Sequence, residues 1–79
     1  MEEKSLETSI LKIMEIVLRC PVDINTNREN LPQWDSLKHI HVIFAIEDEL
    51  NIQFTEDALV TLDSVKRIIE AVEHFRYET

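Results

Sequence analysis

Apolar side chains recur every three or four residues in three stretches of the chain, which is the spacing of one face of an α-helix. They predict helix α1 over about residues 5–19, helix α2 over about residues 36–50 and helix α4 over about residues 62–76. Between the last two, Thr55 can cap a short helix α3 over about residues 56–60, because its hydroxyl can accept a hydrogen bond from the first turn. The pattern therefore predicts an all-α fold, a small four-helix bundle with a short third helix.

Capping residues and a proline mark the expected ends of α1 and α4. Ser5 and Thr61 are the expected N-caps of α1 and α4. We expect α1 to end ahead of Pro21, because the residue before a proline avoids the helical region of backbone space.

The connection between α1 and α2, residues 21–33, has no sustained periodicity and contains three asparagines, which suit turns. A connection this long is unusual in so small a domain and is expected to be held against the helices. The side chains expected to hold it are Val22, Ile24, Leu31 and Trp34. Trp34 is expected to be a core anchor rather than a ligand contact.

The composition favours one folded helical domain over residues 1–79. The chain is 44% hydrophobic and 30% charged, which is typical of a folded protein. It has no glycine and two prolines, whereas tight hairpins between strands usually need glycine. Its length supports a small core and a modest stability.

The net charge of −8 argues against binding to nucleic acid or to an anionic membrane surface, since both require a basic patch. It favours partners with basic surfaces, or serves solubility alone. No stretch of about 18 uncharged apolar residues could span a membrane, and the segment after Met1 is acidic rather than signal-like. We therefore expect a cytoplasmic protein without membrane insertion.

Several other site chemistries find little support. His39 and His41 are two residues apart, whereas zinc-binding pairs on a helix lie three or four apart. Cys20 is expected to be a structural thiol. Ser36 has Asp35 and His39 nearby, but the sequence shows no glycine-rich turn for an oxyanion hole. Neither a metal site nor an intrinsic hydrolase is expected.

The two ends of α2 carry the candidate chemistry. Asp35 and Ser36 are both good N-cap residues, and the pattern does not choose between them. A phosphate attached to Ser36 would be stabilised by the helix dipole and by unpaired N–H groups. At the other end, residues 47–49 are all acidic, which opposes the dipole and hints at function. Glu47 also falls inside the apolar arc of α2, where the pattern gives it no structural role.

Two stretches of the sequence, WDSL over residues 34–37 and AIEDELNI over residues 45–52, resemble the acyl carrier protein family. In that family an Asp-Ser-Leu signature opens a helix that ends in an acidic run and a short linker to a small third helix. The resemblance extends over about Leu6 to Phe75. It implies a four-helix bundle of acyl carrier protein type with a long first loop.

The resemblance implies a prosthetic group. Ser36 would carry 4′-phosphopantetheine through a phosphodiester, installed from coenzyme A by a phosphopantetheinyl transferase. Asp35 would lie beside the phosphate and help the transferase with its Mg²⁺. An acyl or aminoacyl intermediate would be held as a thioester and delivered to loading, condensing or acyltransferase enzymes of fatty acid, polyketide or secondary metabolite biosynthesis.

The resemblance also implies a set of contacts with partners. Leu37 would contact enzyme partners from the exposed shoulder of α2. Glu47 and Asp48 match acidic positions that dock against basic patches. Ile40 and Phe44 match positions that line the way between α2 and α3, through which a carried chain can be sheltered.

The sequence departs from the usual pattern of fatty acid carriers. Trp34 replaces a small residue, the loop lacks glycine, and Lys38, His39 and His41 occupy a region that is usually acidic. These departures predict a specialised, free-standing carrier with a dedicated partner. The alternative is an unmodified acidic helical module that binds a partner through residues 47–49, with Ser36 serving as a cap.

Overall fold

The computed structural model of the chain contains four α-helices and no β-strand over residues 2–78, the part of the backbone that it describes. Helix α1 spans Glu2–Leu18, α2 spans Ser36–Leu50, α3 spans Ala58–Thr61 and α4 spans Val65–Glu78. Side chains are described for residues 6–75. Helix α1 packs against α2 and α4, and α2 packs against α3. The predicted all-α fold with a short third helix is confirmed. Within the described range, none of the helices has the length and apolar character needed to cross a membrane.

Helix α1 extends beyond its predicted start and stops short of its predicted end. It begins at Glu2, so Ser5 lies inside the helix and the prediction that Ser5 is its N-cap is wrong. Arg19 follows the helix with a left-handed φ of 61°, and its N–H donates to the Glu15 carbonyl oxygen at 2.8 Å. The helix ends ahead of Pro21, as predicted, and the left-handed Arg19 is the residue that ends it.

Helix α2 has the bounds that the periodicity predicts. Asn51 follows it with a φ of 58° and donates its N–H to the carbonyl oxygen of Glu47. Asparagine tolerates the left-handed region better than most other residues, so the chain ends this helix without a glycine.

Helices α3 and α4 begin later than predicted, and two of their predicted caps are wrong. Thr55 contributes its carbonyl oxygen rather than its hydroxyl, and this oxygen accepts the N–H of Ala58 at 3.0 Å. Thr61 is the last residue of α3. Ser64 stands at the start of α4, where its hydroxyl accepts the N–H of Arg67 at 3.2 Å.

The core is built from apolar side chains of the four helices, of the long connection and of the segment between α3 and α4. Its buried members are Ile10, Met14, Leu18, Trp34, Val42, Ile43, Ile46, Ala58, Leu62, Val65, Ile68, Ile69 and Val72. Trp34 is 1% exposed, which confirms that it is a core anchor. Val22, Ile24 and Leu31 are half-buried against the core, as predicted. The helical spacing places Phe75 on the apolar stripe of α4, but Phe75 is 40% exposed near the end of that helix.

The long connection is tied to the segment between α3 and α4. An isolated antiparallel bridge pairs Asn27 with Ser64, and the N–H of Arg28 donates to the carbonyl oxygen of Asp63 at 3.0 Å. These backbone contacts hold the connection against the rest of the fold. It places Arg28 beside the start of α2.

Candidate functional site

Asp35, not Ser36, caps α2. Asp35 has the extended backbone of an N-cap, with φ of −90° and ψ of −174°. Its Oδ1 accepts the N–H of Lys38 at 2.9 Å, and its carbonyl oxygen accepts the N–H of His39 at 2.8 Å. Ser36 is the first residue of the helix and is exposed. Because Asp35 fills the capping role, the hydroxyl of Ser36 is released from it.

The hydroxyl of Ser36 faces a guanidinium. Arg28 donates from Nη2 to Ser36 Oγ at 3.2 Å and from Nε to the carbonyl oxygen of Trp34 at 3.2 Å. The backbone N–H groups of Ser36 and Leu37 find no acceptor in the described part of the chain. A positive side chain and two unused donors thus lie next to one exposed oxygen at the positive end of α2. Sequence reasoning missed Arg28, which lies eight positions away in a loop without periodicity.

A buried pair of rings joins the long connection to α2. Trp34 donates from Nε1 to His39 Nδ1 at 3.0 Å, and the ring centroids are 5.7 Å apart. His39 is 2% exposed. Because Nδ1 accepts a hydrogen bond, the proton of the neutral ring is on Nε2, which is buried without a partner among the described residues. The pair fixes Trp34, whose carbonyl oxygen in turn holds Arg28.

Burial lowers the pKa of His39 below its ordinary value of 6.5, because the charged ring is disfavoured away from water. The positive charge of Arg28 lowers the pKa further. The carbonyl of Ala58, the carboxylate of Asp63 and the carbonyl of Leu59 partly oppose this shift, although no hydrogen bond to Nε2 is completed. His39 is therefore neutral at neutral pH.

The start of α2 is less basic than the sequence indicates. Lys38, His39 and His41 all occupy this region, but His39 is buried and its pKa is lowered, so it adds no positive charge there at neutral pH. The Nδ1 of His39 is also occupied by Trp34, so this atom cannot accept a proton from Ser36.

Acidification is expected to destabilise the fold through His39. In the unfolded chain this histidine regains its ordinary pKa of 6.5, so near and below that pH the unfolded state binds more protons than the native state. The stability that the neutral ring contributes is full above pH 6.5 and is lost as the pH falls toward the lowered pKa of the folded state. Protonation also places a second donor at Nδ1, opposite the indole N–H of Trp34.

Urea unfolding on either side of pH 6.5 measures this effect. His39→Gln retains an acceptor for Trp34 but does not titrate, so its stability should depend less on pH than that of the wild type. His41→Gln, at an exposed position, should retain the wild-type pH dependence. Equal pH dependence in wild type and His39→Gln would contradict the assignment.

No protein-family model, no curated protein and no solved structure matches this chain. The resemblance to acyl carrier proteins therefore stands on residues 34–37, residues 45–52 and the order of the predicted helices.

The face of α2 that follows Ser36 exposes apolar side chains. Leu37 is 62% exposed, Ile40 is 36% exposed and Phe44 is 59% exposed. These positions are three and four residues apart, and so lie on one face of the helix. Leu59 and Val60 expose further apolar surface on α3. The three residues of α2 are the ones for which the resemblance implies contacts with a partner or a carried chain.

Glu47 has a structural role that the sequence pattern did not show. Its Oε2 accepts the N–H of Phe54 at 2.7 Å, and its carbonyl oxygen accepts the N–H groups of Asn51 and Ile52. The carboxylate therefore holds the linker between α2 and α3, which explains an acidic residue inside the apolar arc. Asp48, by contrast, is exposed.

A cleft of about 190 Å³ lies between α2 and α3. Its lining residues are Ile43, Phe44, Glu47, Gln53, Phe54, Thr55, Glu56 and Leu59. Phe44 thus borders the space between the two helices, whereas Ile40 lies outside this lining.

The described residues bring no three His, Cys, Asp or Glu side chains together in a way that could hold a metal ion. Of the two histidines on α2, His39 is buried and His41 is exposed. Cys20 is a half-buried free thiol packed against the core.

Proposed function

We propose that this chain is a carrier of the acyl carrier protein kind, in which Ser36 bears 4′-phosphopantetheine. The observation that carries the proposal is the state of the Ser36 hydroxyl. It is exposed, it is relieved of capping by Asp35, and it accepts a hydrogen bond from Arg28. A serine that served only as the cap would direct its oxygen to an N–H of the first turn instead.

The residues around Ser36 fit a phosphodiester, which carries a negative charge and unesterified oxygens that accept hydrogen bonds. Arg28 offers a positive, fork-shaped donor at the ester oxygen. The N–H groups of Ser36 and Leu37 are orphan donors of the helix start, where anions are favoured.

The proposed modification transfers phosphopantetheine from coenzyme A to the serine. Ser36 Oγ forms a bond to the phosphorus next to pantetheine, and the bond from that phosphorus to the departing adenosine 3′,5′-bisphosphate breaks. The hydroxyl proton passes to a base of the transferase. Asp35 uses Oδ1 for the cap, which leaves Oδ2 for the Mg²⁺ that the transferase brings.

The attached arm supplies a thiol on which an acyl or aminoacyl group is held as a thioester. Tethering to Ser36 raises the effective concentration of that group at each partner enzyme. A partner must also release the carrier after each turnover, so weak docking is favoured. Asp48 offers a charge contact that speeds the encounter without great affinity, and Leu37 and Phe44 offer exposed apolar contacts.

The proposed partners are a phosphopantetheinyl transferase and loading, condensing or acyltransferase enzymes with basic docking patches. We propose a specialised carrier with a dedicated partner, because Trp34 and Lys38 stand where fatty acid carriers usually have small and acidic residues. The cargo classes are acyl, hydroxyacyl, aminoacyl and polyketide units. We also propose that the protein works in the cytoplasm, where coenzyme A is present as the donor of the prosthetic group.

The test is the intact mass of the protein after incubation with coenzyme A, Mg²⁺ and a promiscuous phosphopantetheinyl transferase. The proposal predicts a gain of one phosphopantetheine group. Protein expressed in bacteria can be weighed directly, because host transferases can modify it during expression. An unchanged mass under conditions that modify a known carrier protein would contradict the proposal.

Asp48→Lys is expected to slow modification by the transferase at low salt by up to about tenfold, because it reverses a charge that attracts a basic patch. The difference should shrink as salt is added. The control is Glu70→Lys, which makes the same charge change at an exposed position of α4. Equal rates for the two variants would count against α2 as the docking face. Glu47 is unsuited to this test, because its carboxylate holds Phe54.

The second candidate function is an unmodified helical interaction module. The exposed apolar face formed by Leu37, Ile40 and Phe44 is the observation that favours it, since such a face suits a protein partner. Under this alternative the intact mass stays unchanged, and Ser36→Ala leaves partner binding intact.

A further inference from the structure

Arg28 is an unusual cation in this chain. The sequence has 16 acidic residues and 8 basic residues other than histidine, so carboxylates outnumber the cations that could pair with them. In the described part of the chain, however, the Arg28 guanidinium forms no ion pair with a carboxylate and donates to two neutral oxygens, Trp34 O and Ser36 Oγ. An arginine left without a negative partner in so acidic a chain is poised to accept one.

Arg67 shows that an arginine in the same neighbourhood can be neutralised. Arg28 and Arg67 both line one cleft of about 290 Å³ between the long connection and the start of α4, together with Glu29 and Asp63. Arg67 Nη1 lies 3.7 Å from Asp63 Oδ1 and donates to the carbonyl oxygen of Thr61 at 3.2 Å. The two arginines therefore differ in their partners, although both reach the same cleft.

The position of Arg28 is fixed from both of its ends. Its backbone N–H is bonded to the Asp63 carbonyl oxygen, next to the bridge between Asn27 and Ser64. Its Nε is bonded to the Trp34 carbonyl oxygen, and the Trp34 ring is buried. A side chain held in this way is preorganised, so little rotamer freedom remains to be lost when it binds an anion.

We infer that Arg28 binds the phosphate that is ester-linked to Ser36 and thereby orients the prosthetic arm. The inference rests on the proposed function. Ser36 Oγ, which Arg28 already contacts, becomes the ester oxygen, so the unesterified phosphate oxygens lie two bonds from Oγ, on the phosphorus that Oγ binds. A guanidinium has five N–H donors, and the contacts with Trp34 and Ser36 use two of them. The remaining donors can form charge-assisted hydrogen bonds with the phosphate.

Arg28 is therefore a positioning residue of the modified protein rather than a part of the transferase reaction. Among the described residues of the unmodified chain, its charge has no carboxylate partner. In the modified chain it is neutralised by the diester, so modification should stabilise the fold through a contact that links the long connection to the start of α2.

The experiment compares unmodified and modified forms of wild type, Arg28→Gln and Arg67→Gln, with full modification verified by intact mass. Two readouts are recorded for each: the ³¹P chemical shift of the diester and the change in unfolding temperature on modification. Wild type and Arg67→Gln should share one ³¹P shift, distinct from that of the urea-unfolded protein, and should gain about 4 °C on modification. Arg28→Gln should lose this gain, and its ³¹P shift should move to the unfolded value.

The comparison within each variant separates phosphate binding from structural support. If Arg28 only supports Trp34, Arg28→Gln lowers the unfolding temperature of the unmodified and modified forms equally, and the gain on modification survives. This outcome overturns the inference.

Arg28→Lys supplies the test if Arg28→Gln does not fold. Lysine keeps the positive charge without the fork of donors, so this variant should retain part of the gain in unfolding temperature. A wild-type gain and ³¹P shift that Arg28→Lys reproduces in full would also overturn the inference. Failure of wild type to gain mass would refute the proposed function and the inference together, whereas modification without a role for Arg28 would refute the inference alone.

Discussion

Ser36→Ala is expected to abolish modification while changing the free energy of unfolding by less than about 0.5 kcal/mol. The large effect arises because the hydroxyl is the proposed attachment atom and no neighbouring residue can replace it. The small effect arises because Asp35 already caps α2, and because the bond from Arg28 to Ser36 Oγ is solvent-exposed. Alanine is also a somewhat better helix former than serine. Intact mass and urea unfolding measure the two effects on the same samples.

Two substitutions of Asp35 serve as matched controls. Asp35→Ala should lower the free energy of unfolding by about 1 kcal/mol, because the N–H of Lys38 loses its acceptor. Asp35→Asn keeps a capping oxygen and should retain stability, while the loss of the carboxylate slows modification without abolishing it. If Ser36→Ala instead lost the stability expected for a removed cap and Asp35→Ala lost none, the assignment of the cap would be wrong.

Ile46→Ala is expected to destabilise the protein by about 2–5 kcal/mol, because it removes a fully buried side chain and leaves a cavity in a small core. Ile46 is 0% exposed, in the C-terminal half of α2. A domain of this size has only a few kcal/mol of stability in total. A large fraction of the variant should therefore be unfolded in the absence of denaturant, which circular dichroism and urea unfolding would detect.

Ile16→Ala is the matched control for this prediction. It makes the same chemical change on α1, at a residue that is 76% exposed. Its effect should stay within about 0.5 kcal/mol, since little apolar surface leaves water there on folding. Similar stability losses for the two variants would show that the division between core and surface is wrong.

The sequence predicted those parts of the fold that depend on a strong local pattern. Helix α2 has both a clear apolar period and good capping residues, and its observed bounds match the predicted ones. Helix α4 begins later than predicted because Thr61 and Ser64 can each cap a helix. The pattern could not decide which of them does, since the bridge to Asn27 that fixes Ser64 links positions far apart in the sequence.

The parts of the site that the sequence missed all depend on contacts across the fold. Arg28 reaches Ser36 because the long connection is bonded to the segment ahead of α4. The sequence places His39 at the start of α2 with Lys38 and His41, but the hydrogen bond from Trp34 holds it in the core. Glu47 had no role in the helical pattern, because its partner Phe54 lies beyond the end of the helix. Periodicity reports which face of a helix is apolar and carries no information on such partners.

The most direct test of the account is to locate the added mass within the chain. After incubation with coenzyme A and transferase, trypsin should release residues 29–38 as one peptide, cut after Arg28 and after Lys38. Ser36 is the sole hydroxyl-bearing side chain in that peptide, which also lacks cysteine. The account predicts that this peptide carries the whole phosphopantetheine mass. An unmodified 29–38 peptide, with the added mass absent or found on a peptide that holds another serine or Cys20, would contradict it.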